Sequence, residues 1–311
     1  MKTMPLGNTN ANVSALCLGA MYFGTRQDEV ASFLLLDAYL DAGGSFIDTA
    51  NIYAHWIGGF RGGESEALLG RWMRARHNRN HLFLATKVGF DYADVSRGLT
   101  SALIQAECEK SLKRLGVDTI DLYYAHVDDP NTPLEETLGA FDRLVQQGKV
   151  RYIGASNYTA WRLEESRWTS QTNGLVSFCC LQQRHTYVQP KHGVTFSPQK
   201  LINEDLLEFA RNRPITLLAY SALLSGGYTH PEKFDFSAYQ GAHTDGRLSM
   251  LRKVAAEKEI SVNQTILAWM LNNNPQILPL IAASTLEQLR ENLAALDVKL
   301  TEEEIHRLNM A

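Results

Sequence analysis

The stretch Thr119–Asn157, TIDLYYAHVDDPNTPLEETLGAFDRLVQQGKVRYIGASN, reads as a strand, a helix and a second strand. Thr119–His126 and Tyr152–Asn157 are short runs rich in apolar and β-branched residues, as is typical of buried strands. Leu134–Gln147 has apolar residues at three- and four-residue spacing, which predicts a helix, and Gly148 marks its end. Strands joined through a helix run parallel, because parallel strands need a crossover connection. The stretch therefore predicts a βαβ unit.

The same alternation extends along the whole chain. The predicted strands are Ala15–Gly19, Phe46–Ala50, Leu82–Lys87, Thr119–His126, Tyr152–Asn157, Phe178–Gln182, Ile215–Ser221 and Ile277–Ser284. Predicted helices between them include Val30–Ala42, Glu64–Arg76, Ser101–Leu115, Leu134–Gln147 and Leu201–Arg211, with Ser261–Asn273 as an extra helix before the last strand. Such repeats in 311 residues predict an α/β fold, the (β/α)8 TIM barrel. A doubly wound sheet is the rival, but its G-x-G-x-x-G fingerprint is absent after the first strand.

The chain has no evident linker, so residues 1–311 are expected to form a single domain. Met1–Asn10 is predicted to be a short hairpin that turns at Gly7 and Asn8. The longest irregular stretch is Ser225–Gly246, and we expect it to be a long loop at the C-terminal face of the barrel, either a lid or substrate loop or a poorly ordered segment.

Composition narrows the classes of partner. Lys and Arg number 30 against 34 Asp and Glu, a net charge of -4, so we expect no nucleic-acid partner. No apolar run approaches the roughly 18 residues of a membrane span, and the polar start does not resemble a signal peptide. A cytoplasmic location is expected. The four cysteines are expected to be reduced, mostly buried thiols.

Reactive side chains follow successive predicted strands: Asp48 and Tyr53, then Lys87, then His126. In a TIM barrel these strand ends converge at one mouth. The set suits proton delivery to a carbonyl oxygen, with Lys87 lowering the pKa of Tyr53, Asp48 holding Lys87 and His126 donating to the oxygen. It contains no nucleophile and no expected metal site, so a hydride-donating cofactor is implied. A Schiff-base lyase using Lys87 is the alternative, which the pairing of Asp48 and Tyr53 disfavours.

Four motifs resemble those of the aldo-keto reductases: FIDTANIY at 46–53, ATKVG at 85–89, DLYYAH at 121–126 and GKVRYIGASN at 148–157. The resemblance extends along the whole chain. It implies a TIM barrel that reduces aldehydes and ketones with NADPH, or catalyses the reverse oxidation. It also implies a catalytic tetrad of Asp48, Tyr53, Lys87 and His126, with Tyr53 as the proton donor.

The resemblance also implies a set of coenzyme contacts. Gly19, Ala20 and Met21 would border the coenzyme, and Ser156, Asn157 and Gln182 would hold the nicotinamide carboxamide. Tyr220, Ser221, Leu223, Ser225 and Gly226 would surround the pyrophosphate, and Ser284, Gln288 and Asn292 would hold the adenosine phosphate. Many relatives have Lys or Arg near positions 282, 284 or 288, but here these are Ala, Ser and Gln. NADPH is expected, and use of NADH stays open.

The resemblance identifies the aromatic residues near the nicotinamide and the substrate less specifically than it identifies the tetrad. Related chains often have an aromatic residue near His185 that stacks on the nicotinamide, and His185 and Tyr187 are both candidates. Tyr22, Trp56, Phe90 and part of Ser225–Gly246 are expected to line the substrate pocket, where aromatic walls favour apolar or aromatic carbonyl compounds. The expected partner is a small aldehyde, ketone or sugar, and the chain is expected to be a monomer or weak homo-oligomer. A coenzyme-binding regulatory subunit or redox sensor is the alternative function.

Overall fold

In the computed structural model, which describes residues 1–233 and 235–311, the strands are β1 (Thr3–Pro5), β2 (Asn12–Ser14), β3 (Cys17–Gly19), β4 (Phe46–Asp48), β5 (Phe83–Val88), β6 (Ile120–Ala125), β7 (Val150–Ser156), β8 (Cys180–Arg184), β9 (Thr216–Tyr220) and β10 (Ile277–Ile281). Strands β3 to β10 pair in parallel and close into a barrel in which β10 lies beside β3. The predicted (β/α)8 barrel is therefore confirmed, and each predicted strand overlaps one of these eight.

The helices are α1 (Glu29–Asp41), α2 (Glu64–Arg76), α3 (Ser101–Leu115), α4 (Leu134–Gln146), α5 (Ala160–Asn173), α6 (Glu204–Asn212), α7 (Ala242–Glu257), α8 (Val262–Asn272), α9 (Leu286–Ala294) and α10 (Glu302–Met310). Ser261 and Gln264 form a capping box that begins α8, the predicted extra helix. The prediction for Ser225–Gly246 is partly wrong, since α7 begins inside this stretch, and Phe234 lies outside the described residues. In the described part of the chain, every helix is too short or too polar to cross a lipid bilayer.

The predicted N-terminal hairpin closes one end of the barrel. Strands β1 and β2 pair antiparallel, so the hairpin extends to Ser14, beyond the predicted first ten residues. Leu6 and Val13 are fully buried and join the apolar cluster inside the barrel. The Gly7 amide donates to the Thr216 hydroxyl at 2.7 Å, which holds the hairpin against the first residue of β9. The carboxyl ends of the strands lie at the opposite end of the barrel, where the predicted site residues are found.

Candidate active site

The predicted tetrad meets at the carboxyl ends of three neighbouring strands. Asp48 ends β4, Lys87 lies one residue before the end of β5, and His126 directly follows β6. Tyr53 lies in the turn after β4, and its hydroxyl donates to Asp48 Oδ1 at 3.0 Å. Lys87 Nζ donates to the Tyr53 hydroxyl at 2.6 Å and to the Thr49 carbonyl at 2.8 Å, and it also contacts Asp48 Oδ1. The Tyr53 hydroxyl is therefore held between an ammonium and a carboxylate.

Burial decides the protonation of these groups. Lys87 and Asp48 form an ion pair with no exposed side-chain surface. Burial lowers the pKa of Lys87, and the Asp48 carboxylate opposes this lowering. The pKa of Tyr53 is raised well above its usual value, first by burial and then by Asp48. This direction is opposite to the lowering that we expected from Lys87, because burial and the carboxylate both favour the neutral phenol. Tyr53 therefore keeps its proton at neutral pH.

His126 is neutral at neutral pH as well. Burial lowers its pKa well below the usual value, and Lys87 lowers it further. Its ring lies edge-to-face against Phe90 and Tyr53, with centroid distances of 4.8 and 6.1 Å. Within the described residues its Nδ1 is buried without a hydrogen-bond partner, which leaves Nε2 as the ring nitrogen that can meet a ligand. A neutral imidazole can donate one hydrogen bond to an oxygen from this position.

Asn157 links the tetrad to β9 through its side-chain amide. Its Nδ2 donates to the His126 carbonyl at 2.9 Å and to the Ser156 hydroxyl at 3.1 Å. Its Oδ1 accepts from the Tyr220 hydroxyl at 2.7 Å and from the Lys200 amide at 3.1 Å. Both amide protons and both lone pairs are thereby used. In this structure the side-chain amide of Asn157 holds His126, Ser156, Tyr220 and Lys200 in place. A ligand could bind this amide only by replacing one of these four hydrogen bonds.

A cavity of about 410 Å³ opens beside the tetrad and reaches Ser221 and Ala282. Of the predicted coenzyme residues, Gly19, Met21, Asn157, Gln182, Tyr220 and Ser221 line it. Gln182 Nε2 donates to Asp48 Oδ2 at 2.8 Å, so this cavity wall is bonded directly to the tetrad. Ala20 and Ser156 are buried next to Gly19 and Asn157 in the chain.

The other predicted coenzyme residues lie in two segments. Leu223, Ser225 and Gly226 lie in the turn after β9, where Ser225 and Gly226 have φ values of 54° and 86°. Ser284 lies just before α9, Gln288 in its first turn and Asn292 near its end. Gln288 Oε1 accepts from the Ser284 amide at 2.7 Å, and Asn292 Nδ2 donates to the Ala282 carbonyl at 3.1 Å. Gln288 and Asn292 lie one turn apart on α9, and their role in binding the adenosine phosphate stays a prediction.

A family model, "Aldo/keto reductase family", matches residues 15–311. The chain belongs to this family. Aldo-keto reductase str7 of Strobilurus tenacellus is 34% identical over 302 residues, which cover 91% of this chain and 82% of that protein. Norsolorinic acid reductase stcV of Emericella nidulans is 32% identical over 316 residues, which cover 95% of this chain and 77% of that protein.

Solved structures agree with this assignment. A crystal structure of the thermostable aldo-keto reductase Tm1743 with the inhibitor epalrestat matches with a TM-score of 0.79 and 30% identity, covering 100% of this chain and 99% of that one. Aldo-keto reductases act on small-molecule carbonyl compounds and use nicotinamide coenzymes. The chain is therefore an oxidoreductase enzyme of this family.

Two predictions about aromatic residues of this aldo-keto reductase need correction. His185 stacks on Trp269 at 5.4 Å, and Tyr187 meets the same indole edge-on at 5.3 Å, so neither lines the cavity. Tyr220, the last residue of β9, is the aromatic side chain that lines the cavity there. Both predicted rings are instead engaged by a residue of α8.

The predicted substrate pocket is partly present. Trp56 and Phe90 line the cavity, whereas neither Tyr22 nor any described residue of Ser225–Gly246 is part of its lining. Six lining residues were not predicted from the sequence: Ile52, Pro198, Gln199, Leu280, Ile281 and Ala282. Ile52 lies in the motif FIDTANIY and Leu280 in the predicted strand Ile277–Ser284. Their positions in the sequence therefore indicated that both could lie near the site. Pro198 and Gln199 lie in a connection that carries no motif.

Proposed function

We propose that this aldo-keto reductase reduces aldehydes or ketones to alcohols with NADPH, and that Tyr53 gives the proton. The observation that carries the proposal is the position of the Tyr53 hydroxyl, 2.6 Å from Lys87 Nζ and 3.0 Å from Asp48 Oδ1, at the wall of the cavity. A phenol held in this way is protonated before the reaction, and its conjugate base has an ammonium beside it. The same groups would serve the reverse oxidation.

The cavity supports binding of a nicotinamide coenzyme. Gly19, Gln182 and Tyr220 line its wall next to the tetrad. The cavity continues to Ser221 and Ala282, so it extends from the tetrad toward the segments predicted to hold the pyrophosphate and the adenosine phosphate. A bound reduced nicotinamide supplies the hydride, which none of the tetrad side chains can provide.

The tetrad then manages the proton. Tyr53 gives its hydroxyl proton to the substrate oxygen, and the Lys87 ammonium stabilises the phenolate that remains. Asp48 keeps Lys87 charged against the effect of burial. His126, which is neutral, donates an N–H to the same substrate oxygen, where negative charge develops during reduction. Each residue thus acts in the protonation state that its surroundings favour.

The lining of the cavity favours apolar or aromatic carbonyl compounds over sugars. Ile52, Trp56 and Phe90 form the apolar lining beside Tyr53 and His126. Apolar walls gain free energy when they cover an apolar ring, whereas a sugar would leave its hydroxyl groups without partners there. The similarity to a norsolorinic acid reductase supports a reductase of organic carbonyl compounds.

Steady-state oxidation of NADPH and of NADH tests the proposal. Each coenzyme is combined with a panel of aromatic aldehydes, ketones and aldoses, and Tyr53→Phe is measured beside the wild type. We expect turnover with aromatic carbonyls that falls by about 10²–10⁴ in the variant, the usual contribution of a general acid. Tight coenzyme binding without turnover on any carbonyl would favour the sensor or regulatory subunit instead.

A further inference from the structure

Arg184 is a half-buried cation beside the coenzyme cavity. It ends β8, where Cys180, Gln182 and Arg184 point to the same face because side chains alternate along a strand. Cys180 belongs to the apolar cluster inside the barrel, and Gln182 lines the cavity. The side chain of Arg184 therefore leaves the strand toward the open mouth of the barrel.

Neutral groups hold the guanidinium of Arg184. Its Nη1 donates to the Ser221 hydroxyl at 3.2 Å and to the Gln199 amide oxygen at 3.3 Å, and both of these residues line the cavity. Its Nη2 donates to the Tyr239 hydroxyl at 2.9 Å. The two bonds from Nη1 are at the long end for N–H···O hydrogen bonds. An anion in the cavity could take over these donors without breaking an ion pair.

Arg184 differs from three other arginines that expose little of their side chains. Arg79, Arg114 and Arg162 each contact a carboxylate, at 2.7, 2.6 and 3.0 Å. Buried Arg247 donates to main-chain carbonyls. No carboxylate within residues 1–233 or 235–311 forms an ion pair with Arg184. A partly desolvated cation without a counter-charge raises the free energy of the free protein, and a bound anion would lower it.

We propose that Arg184 binds the pyrophosphate of the nicotinamide dinucleotide, a role that rests on the proposed reductase function. The pyrophosphate is anionic, and the described residues that line the cavity include no Lys or Arg to meet its charge. The planar guanidinium can donate two parallel hydrogen bonds to phosphate oxygens. Its partner Ser221 begins the turn that we predicted to surround the pyrophosphate, so Arg184 lies against that turn.

Coenzyme binding, measured by isothermal titration calorimetry, tests this role without turnover. Arg184→Gln removes the charge, Arg184→Lys keeps the charge without the planar fork, and Arg252→Gln on the exposed face of α7 is the matched control. We expect Arg184→Gln to weaken binding of NADP⁺, NAD⁺ and ADP-ribose by about ten- to a hundredfold each, the scale of a charge-assisted hydrogen bond. Arg184→Lys should lose less, and Arg252→Gln should stay within about twofold of the wild type.

Comparison of the three ligands distinguishes a contact with the pyrophosphate from a contact with the 2′-phosphate. They share the pyrophosphate, so similar losses for all three support the contact, whereas a loss confined to NADP⁺ would assign Arg184 to the 2′-phosphate and overturn the proposal. An unchanged Kd in folded Arg184→Gln would also overturn it. If thermal unfolding shows that Arg184→Gln is not folded, Arg184→Lys becomes the test. Loss of the planar fork should weaken binding of all three ligands, and an unchanged Kd would overturn the proposal.

The test also distinguishes the two proposals from each other. If the wild type binds neither NADP⁺ nor NAD⁺, the proposed reductase function fails. If the wild type binds them and Arg184→Gln binds them equally well, the reductase function is retained and only the role of Arg184 is rejected.

Discussion

The two ends of the predicted coenzyme site differ in burial and in charge. At the tetrad end, Asp48 and Lys87 are fully buried, charged and bonded to each other. At the adenosine end, Ser284 and Gln288 are exposed and uncharged, and they bond to each other across the start of α9. The first end is assembled by the fold itself, because its charges are stable only in each other's presence.

This difference predicts how each end responds to substitution. Buried charges depend on their partners, so a single change there should affect both stability and turnover. Exposed neutral groups contribute little to folding, so a change at the adenosine end should alter coenzyme preference alone. The predictions below test this contrast, from the largest expected effect to the smallest.

Lys87→Met should have the largest effect, because it leaves the Asp48 carboxylate buried without its ammonium. We expect a loss of about 3–5 kcal/mol in the free energy of unfolding, the usual result of removing one partner of a buried ion pair. Turnover should fall by about 10²–10⁴, since the Tyr53 phenolate loses its stabilising charge. Chemical denaturation and steady-state kinetics measure the two effects.

The double variant Asp48→Asn, Lys87→Met is the control for this prediction. It removes both charges, so we expect it to recover much of the lost stability but none of the lost turnover. If the Lys87→Met single variant is as stable as the wild type, the buried Asp48 carboxylate does not depend on the Lys87 ammonium, and the contrast between the two ends fails.

The pH profile of reduction should have an alkaline limb and no acid limb near neutral pH. The pKa of Lys87 is lowered, so Lys87 loses its proton at a lower pH than a free lysine does, and reduction should fall by about tenfold per pH unit above that pKa. The pKa of His126 lies well below its usual value, so this ring stays neutral through the neutral range. The dependence of kcat/KM on pH measures both, and a loss of activity on acidification through the usual histidine pKa would contradict the assignment.

The fold was predictable because each βαβ unit carries its own periodic signal. Predicted Thr119–His126 corresponds to β6, and predicted Ser261–Asn273 corresponds to α8. The start of α7 was missed because Gly241 and Gly246 flank it and its buried residues there, Thr244 and Arg247, are polar. Tertiary burial of polar side chains leaves no periodic apolar pattern for a sequence to show.

The site was predictable to the extent that its residues end a strand. Asp48, Lys87 and His126 follow that rule, and the barrel brings them together. The net rise in the pKa of Tyr53 was not predictable, because it depends on how completely the folded chain excludes water. Arg184 and Gln199 were missed because nothing in the sequence shows that an arginine lacks a carboxylate partner or that a loop reaches the cavity.

Ser284→Arg should change only coenzyme preference. The arginine would add a guanidinium near the predicted 2′-phosphate position, while the Ser284 amide keeps its bond to Gln288 Oε1. We expect the ratio of kcat/KM for NADPH over NADH to rise about tenfold, the scale of one charge-assisted hydrogen bond. Ser284→Gln, which lengthens the side chain without adding a charge, is the control. An unchanged ratio in Ser284→Arg would place the 2′-phosphate elsewhere.

Trp56→Ala should have the smallest effect, because the indole is 48% exposed at the cavity lining and makes no hydrogen bond to the tetrad in the described structure. We expect KM for an aromatic aldehyde to rise about two- to tenfold, the scale of one aromatic contact, with kcat nearly unchanged. Trp161→Ala, which removes an exposed indole from α5, is the control. A comparable rise in KM for a short aliphatic aldehyde would show that Trp56 shapes the cavity in general. A loss confined to aromatic substrates would show instead that substrate choice, like coenzyme choice, depends on exposed side chains around the proposed proton donor Tyr53.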